Sequence, residues 1–212
     1  MIPRTAAALG LVCALLAGCS DDEPRATPQT PSSSALSAPL PGITLPPAPL
    51  LPLVPEPDEV PAGMVPLLTG SGSRDAAAIA EFSADPAAAG RALAEHGFTS
   101  AYVAQYAHPT DGRVLSVVVA RFRDAAGAEA DLQGDLAGSS GEVVKTATVG
   151  QASQARRQPL PGASPGSAAG ELVTLRFRQG ATTWLLAYGA RPTADPQVAV
   201  ELARPLVDRG AA

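Results

Sequence analysis

Cysteine is almost absent from this chain of 212 residues: Cys13 and Cys19 are the only two, and both lie in the first twenty positions. Nothing downstream can form a disulfide, a Cys-x-x-Cys redox pair or a thiolate metal site. A chain of this length buries enough surface to fold without such staples. Aromatic residues make up only 4%, lysine occurs once as Lys145, and histidine twice as His96 and His108. Neither histidine belongs to an H-x-x-x-H pattern or a local Asp/Glu/His cluster, so no metal site or cofactor is written locally. Phosphate-cradling G-x-x-x-x-G-K and G-x-G-x-x-G loops are missing too. An excess of basic charge is also lacking: residues 61–212 carry 14 acidic and 13 basic side chains. That near-neutral balance excludes the electrostatic footprint of a nucleic-acid binder. The net charge of −5 sits instead in residues 20–60, where Asp21, Asp22, Glu23, Glu56, Asp58 and Glu59 face Arg25 alone.

What is present begins at the first residue. "MIPR" supplies one positive charge, and "TAAALGLVCALLAG" is an apolar run ending at Gly18. It is too short for a spanning helix, which needs roughly 20 apolar residues, and fits the apolar core of an export signal. The ending Leu16-Ala17-Gly18-Cys19, followed by the polar "SDDEP", resembles the lipobox of bacterial lipoproteins. The resemblance implies a signal peptide over residues 1–18, cleavage before Cys19, and a diacylglyceryl thioether on Cys19. It places the chain on the extracytoplasmic side of the cell membrane, with the membrane itself as its partner. Two or more acyl chains of the palmitate type hold a protein stably at about 0.8 kcal/mol per buried CH₂, whereas one chain holds it marginally.

Residues 19–57 read as a proline-rich, disordered tether. Thirteen of the 22 prolines fall between Pro24 and Pro66. "PPAPLLPLVPEP" cannot be helix or central strand, because proline fixes φ and removes a donor. Fully polyproline-II, the segment would reach ~120 Å at ~3.1 Å per residue; as a flexible coil it would average ~35 Å. The PxxP matches Pro49–Pro52 and Pro52–Pro55 are spacer composition rather than recognition motifs. Leu50, Leu51, Leu53 and Val54 are unusually apolar for a spacer and suggest chain lying across the domain surface.

Residues 58–212 have the punctuation of one α+β domain. "DPAAAGRALAEHGF" predicts a helix capped by Asp85, with Pro86 in its first turn and Gly97 as its stop. "FTSAYVAQYAH" and "RVLSVVVARFR" are strands about the turn "PTDG". "DAAGAEADLQGDLAG" places Ala128, Leu132 and Leu136 on one helical face, although Gly127 and Gly134 each weaken an interior by roughly 1 kcal/mol. "EVVKTATV" and "ASQARRQ" are strands, and "PLPGASPGSAAG" is a loop. "ELVTLRFRQGATTWLLAYG" is a second hairpin and "DPQVAVELARPLVDRG" a closing helix that Pro205 should kink or shorten. Each half runs hairpin then helix, and each carries Arg-Phe-Arg. Residues two apart on a strand share a face, so Phe122 and Phe177 are expected in the core with their flanking arginines outward. The architecture expected is an antiparallel sheet with helices packed on one side, ferredoxin-like or a related sandwich. "DEVPAGM", "GFTSAYVAQY", "VARFRDAAGAEADL", "VGQAS" and "LVTLRFRQG", in this order, resemble exported bacterial domains of unknown function, those of actinobacterial lipoproteins in particular. That resemblance implies the fold class and no activity; Gln151 and Ala152 stand where acidic residues are usual in it.

Chemistry is sparse. "GASPG", Gly162–Gly166, matches the G-x-S-x-G nucleophile elbow, whose oxyanion donor is the N–H after the serine. Here that residue is Pro165, which has none. His96 reads as a helix C-terminal residue, favourable at the carbonyl end, and His108 as the mouth of a hairpin. Asp75, Asp85, Asp124 and Asp195 read as helix caps, and Glu129, Asp131 and Asp135 as the exposed side of one helix. Trp184 and Tyr188 read as packing rather than a sugar-stacking platform. The candidate ligand-binding residues are Arg121, Arg123, Arg176 and Arg178. On adjacent strands they would form a basic patch for a carboxylate or phosphate, from an anionic small ligand or an envelope protein. The plainer reading is a solvated face with cross-strand pairs to Glu171 or other acids. The function expected is a non-catalytic binding or envelope-associated lipoprotein; an envelope-directed hydrolase and a structural spacer are the alternatives.

Overall fold

The structure is a computed structural model that describes residues 50–161 and 169–211. The lipobox with Cys19 and the "GASPG" segment lie outside the described residues. Leu51–Leu53 form a 3₁₀ turn, followed by β1 (Val65–Pro66), β2 (Gly72–Arg74), α1 (Ala76–Ala80) and α2 (Pro86–Glu95). Then come β3 (Phe98–Ala107), β4 (Val114–Phe122), α3 (Ala125–Gly138), β5 (Glu142–Val144) and β6 (Ala152–Leu160). β7 (Gly170–Gln179), β8 (Thr182–Ala190) and α4 (Pro196–Ala211) complete the fold. The eight strands make one antiparallel sheet in the order β1-β3-β4-β8-β7-β6-β5, with β2 also on β3. This is the α+β class expected. Among the described residues no helix is long and apolar enough to cross a membrane.

Local chemistry explains the elements. Asp75, Asp85 and Asp124 each cap a helix by accepting from the N–H three residues on, at 2.9, 2.9 and 2.8 Å. Asp195 accepts from Gln197 N at 2.9 Å. The β7–β8 hairpin turns in two residues, with Gly180 at φ +57°, a left-handed conformation cheap only for glycine. α4 continues through Pro205 to Ala211, so the proline does not shorten it. Proline withholds the N–H that would reach the Glu201 carbonyl, and Glu201 is exposed, where water can serve that carbonyl. The segment 142–149 keeps only the three residues of β5 as strand, because Val149 N is taken by the Ser153 hydroxyl at a turn.

The helices divide between the two faces of the sheet. Register fixes which residues share a face: Val117 lies opposite Leu186, and Leu186 opposite Leu175. This first face carries Val119, Phe177, Trp184 and Tyr188 and packs on Ala199, Val200, Leu202, Ala203 and Leu206 of α4. The second face carries Ala101, Ala120 and Phe122 against Ala80, Leu93 and Ala128 of α1, α2 and α3. Phe122 and Phe177 therefore enter different cores. A two-fold axis that exchanges antiparallel β4 and β8 is normal to the sheet and keeps both following helices on one face. Since α3 and α4 lie on opposite faces, the hairpin–helix repeat is one of chain order without symmetry.

The first core reaches back to Leu50. Leu50, Leu53 and Val54 are buried in it, and Trp184 Nε1 donates to the Leu53 carbonyl at 3.0 Å. Tyr106 Oη donates to the Pro55 carbonyl at 2.7 Å. Arg209 of α4 closes over the segment, donating to Val54 O at 3.3 Å and Glu59 at 2.8 Å and lying 3.6 Å from Glu56. Residues 50–59 thus form a strap across α4 and the sheet, and one arginine clamps both Glu56, read above with the tether, and Glu59.

Candidate functional site

The second face is incompletely covered. Val118 and Leu185 are cross-strand partners in the two central strands, and both are only half-buried. Above them α1 and α2 on one side and α3 on the other leave a groove of about 460 Å³. Its walls include Ile79, Phe82, Ala88, Ala92 and Leu132, mostly small or apolar side chains. That size falls within the several-hundred-Å³ range of small-molecule sites.

One end of the groove is polar, and α3 supplies its acids. The C-terminal end of α2 sits directly on the first turn of α3: a Cβ on Gly127 would lie 1.9 Å from the His96 carbonyl oxygen. The glycine that weakens the helix locally is the one that lets the two helices touch. The His96 ring then reaches α3, with Nδ1 3.8 Å from Asp131 Oδ1 and no hydrogen-bond partner for Nδ1. Asp131 also accepts from the Thr183 hydroxyl of β8 at 3.5 Å. One turn on, Asp135 accepts a hydrogen bond from Arg176 Nη1 of β7. Burial pushes the Asp131 carboxyl up to about 7, helped by the nearby Asp135 carboxylate and opposed by Arg176 and the Thr183 hydrogen bond.

Of the three acids read as the exposed side of α3, Glu129 and Asp135 do keep 41% and 53% of their side chains in solvent while pairing with Arg178 and Arg176 of β7. Asp131 departs from that reading: its side chain is 18% exposed and turns toward the sheet beside the buried Ala128 and Leu132. The three carboxylates broke the apolar periodicity that marks a buried face, which is why this site was not legible in α3. The cue available was complementary spacing: acids at 129 and 135 against arginines at 176 and 178.

The four arginines are not brought together. Arg178 lies opposite Thr183, and Arg121 opposite Thr182, so they are one residue out of step and on opposite faces. Arg123 stands beyond β4, exposed, with its guanidinium over Gly97. Arg176 and Arg178 share the α3 face, and both are neutralised there: Arg176 by Asp135, Arg178 by Glu129 at 2.8 Å. Arg178 also donates to Gln151 Oε1 at 2.6 Å, and Gly180 N donates to the same oxygen at 3.1 Å, so Gln151 pins the hairpin turn. Glu171 pairs with Arg157 at 3.5 Å and not with the quartet.

The remaining candidates are structural. His108 Nδ1 lies 3.2 Å from Asp111 and accepts from Asp111 N at 3.3 Å, within its turn. Trp184 and Tyr188 are 2% and 5% exposed, and the Trp184 ring stacks on Phe177 with centroids 5.0 Å apart. Among the described residues no three His, Cys, Asp or Glu side chains converge as metal ligands.

No protein-family model matches the chain, and no curated protein matches its sequence. Among solved structures it is similar to the extracellular domain of PknH from Mycobacterium tuberculosis, with a TM-score of 0.47 and 14% identity, over 75% of this chain and 93% of that one.

Proposed function

We propose that this chain is a membrane-anchored extracytoplasmic lipoprotein whose α+β domain binds a ligand without catalysis, in the groove between α2, α3 and the sheet. The anchor is Cys19, on the strength of the lipobox residues around it. The observation that carries the binding reading is the partial exposure of Val118 and Leu185. Apolar side chains at the middle of a central strand pair are normally covered, and leaving part of each open forgoes some of the roughly 1.5–3 kcal/mol that full burial supplies. A spacer needs no such opening; a binding domain does.

Two measurements test this. Mass spectrometry of the mature protein should find Cys19 N-terminal and lipidated, and Cys19→Ala should lose the modification; an unmodified secreted product starting elsewhere overturns the anchor. The neutral apolar dye Nile red should bind the domain with enhanced fluorescence, and Ala92→Phe, which fills the groove, should weaken that binding about tenfold or more, on the order of 1.4 kcal/mol. Equal binding by both proteins, or none by either, overturns the groove as the site.

A further inference from the structure

We infer that the groove selects an organic cation, a protonated amine on an apolar body. This rests on the groove being the binding site and adds the charge of its ligand. The polar end holds two carboxylates and a single arginine. Arg176 is engaged by Asp135, and Arg178, the next arginine on that face, by Glu129. Both guanidinium charges are thus paired within the protein, although Arg176 Nε keeps no hydrogen-bond partner. Asp131 is the group without a matched cation: its nearest basic neighbour is His96 at 3.8 Å, and its hydroxyl donor Thr183 stands at 3.5 Å. Its side chain is 18% exposed, so the carboxylate is largely removed from water and incompletely repaid by the protein. A buried charge of this kind is stabilised when an opposite charge is brought to it. The rest of the groove, with Ile79, Phe82, Ala92 and Leu185 on its walls and floor, offers hydrocarbon contact. An ammonium seated at Asp131, with its apolar body along Leu185 and Val118, satisfies both parts.

The groups that face Asp131 set the pH behaviour of such binding. They are His96 from α2, Asp135 on its own helix, Arg176 from β7 and Thr183 from β8. Asp131 must be ionised to hold an ammonium. With its carboxyl raised to about 7, that condition favours tighter binding as pH rises toward 8, while an alkylammonium stays charged throughout, its own pKa lying near the lysine value of about 10.4.

The test is calorimetric titration of the wild-type domain with octylammonium, octanol and octanoate below their aggregation concentrations. Octylammonium is expected to bind at least about tenfold tighter than either neutral or anionic analogue, a difference on the order of 1.4 kcal/mol. That preference should vanish in Asp131→Asn and weaken severalfold in the wild type at about pH 5 relative to pH 8. Octanol binding as tightly as octylammonium, with Ala92→Phe weakening both, keeps the groove as a site and overturns the cation. A preference for octanoate overturns it also and returns the ligand to the anionic class, with Arg176 as its partner. No binding of octylammonium, or a preference unchanged in Asp131→Asn, overturns the assignment outright. The pH series on unmodified protein reads the same carboxyl without any substitution.

Discussion

Replacing Trp184 by alanine is expected to destabilise the domain by about 3–5 kcal/mol and to lower the thermal midpoint by roughly 10 °C or more. Three contacts converge on this side chain. Its ring lies parallel to Phe177, an interplanar angle of 2° at 5.0 Å, so truncation leaves a cavity with one wall gone. Its Nε1 donates to the Leu53 carbonyl at 3.0 Å in a buried setting, so truncation also orphans a backbone acceptor, a loss of ~1–3 kcal/mol in such places. Its outer edge packs so closely on α4 that a Cβ on Gly210 would fall 2.5 Å from Cη2. One side chain thus joins the sheet, the strap 50–59 and the last helix. Trp184→Phe should show only part of the loss, since it keeps an aromatic stack and removes the donor. Urea titration followed by circular dichroism separates the two variants. A change below about 1 kcal/mol in Trp184→Ala would show that the strap is not seated on the core.

The second large effect is a pH-dependent stability centred on Asp131. Its carboxyl has an ordinary value of 3.8 and is raised to about 7 in the folded domain, first by burial and then by Asp135, against Arg176 and Thr183. The folded state therefore holds this proton more tightly than the unfolded chain. The stabilisation is fully present below the unfolded value near 4, fades as pH rises, and is lost once pH passes about 7. Asp131→Asn removes the titration while keeping the shape. It should be more stable than wild type at about pH 8, with the advantage shrinking toward about pH 4. The gain at the upper end is on the order of 4 kcal/mol, at ~1.4 kcal/mol for each tenfold difference in proton affinity between the folded and unfolded chain. Parallel urea-midpoint curves for the two proteins across that range would contradict the buried state of Asp131. The same variant that abolishes the amine preference is thus expected to fold better than the parent, so its loss of binding is not a loss of structure.

The residues that make the groove polar explain how far a linear reading reaches. His96 was legible as the end of α2, and its backbone N fills that role by donating to Ala92 O at 2.9 Å. Where its ring goes depends on Gly127, thirty-one positions on, being bare enough for α3 to touch the His96 carbonyl. Arg176 was legible as one of a pair flanking Phe177, and register does put Phe177 in a core and Arg176 on the other face. That the other face is covered by α3, and that Arg121 lies on the opposite side from Arg176, follow only from the pairing of β4 with β8.

The sequence by itself determined what is set within a few residues. The aspartate caps, the two-residue turn at Gly180 and the alternation of the long hairpins are each written by neighbours along the chain, where covalent distance makes the interaction unavoidable. The tertiary structure alone decided which face each helix covers. A strand is two-sided, and its alternation is satisfied equally by a helix crossing above or below; the choice falls to packing between elements far apart in the chain. With α3 and α4 sent to opposite faces, the apolar strap from Leu50 was drawn into one core. The other face was left with an open floor at Val118 and Leu185, and there the carboxyl of Asp131 lost its water.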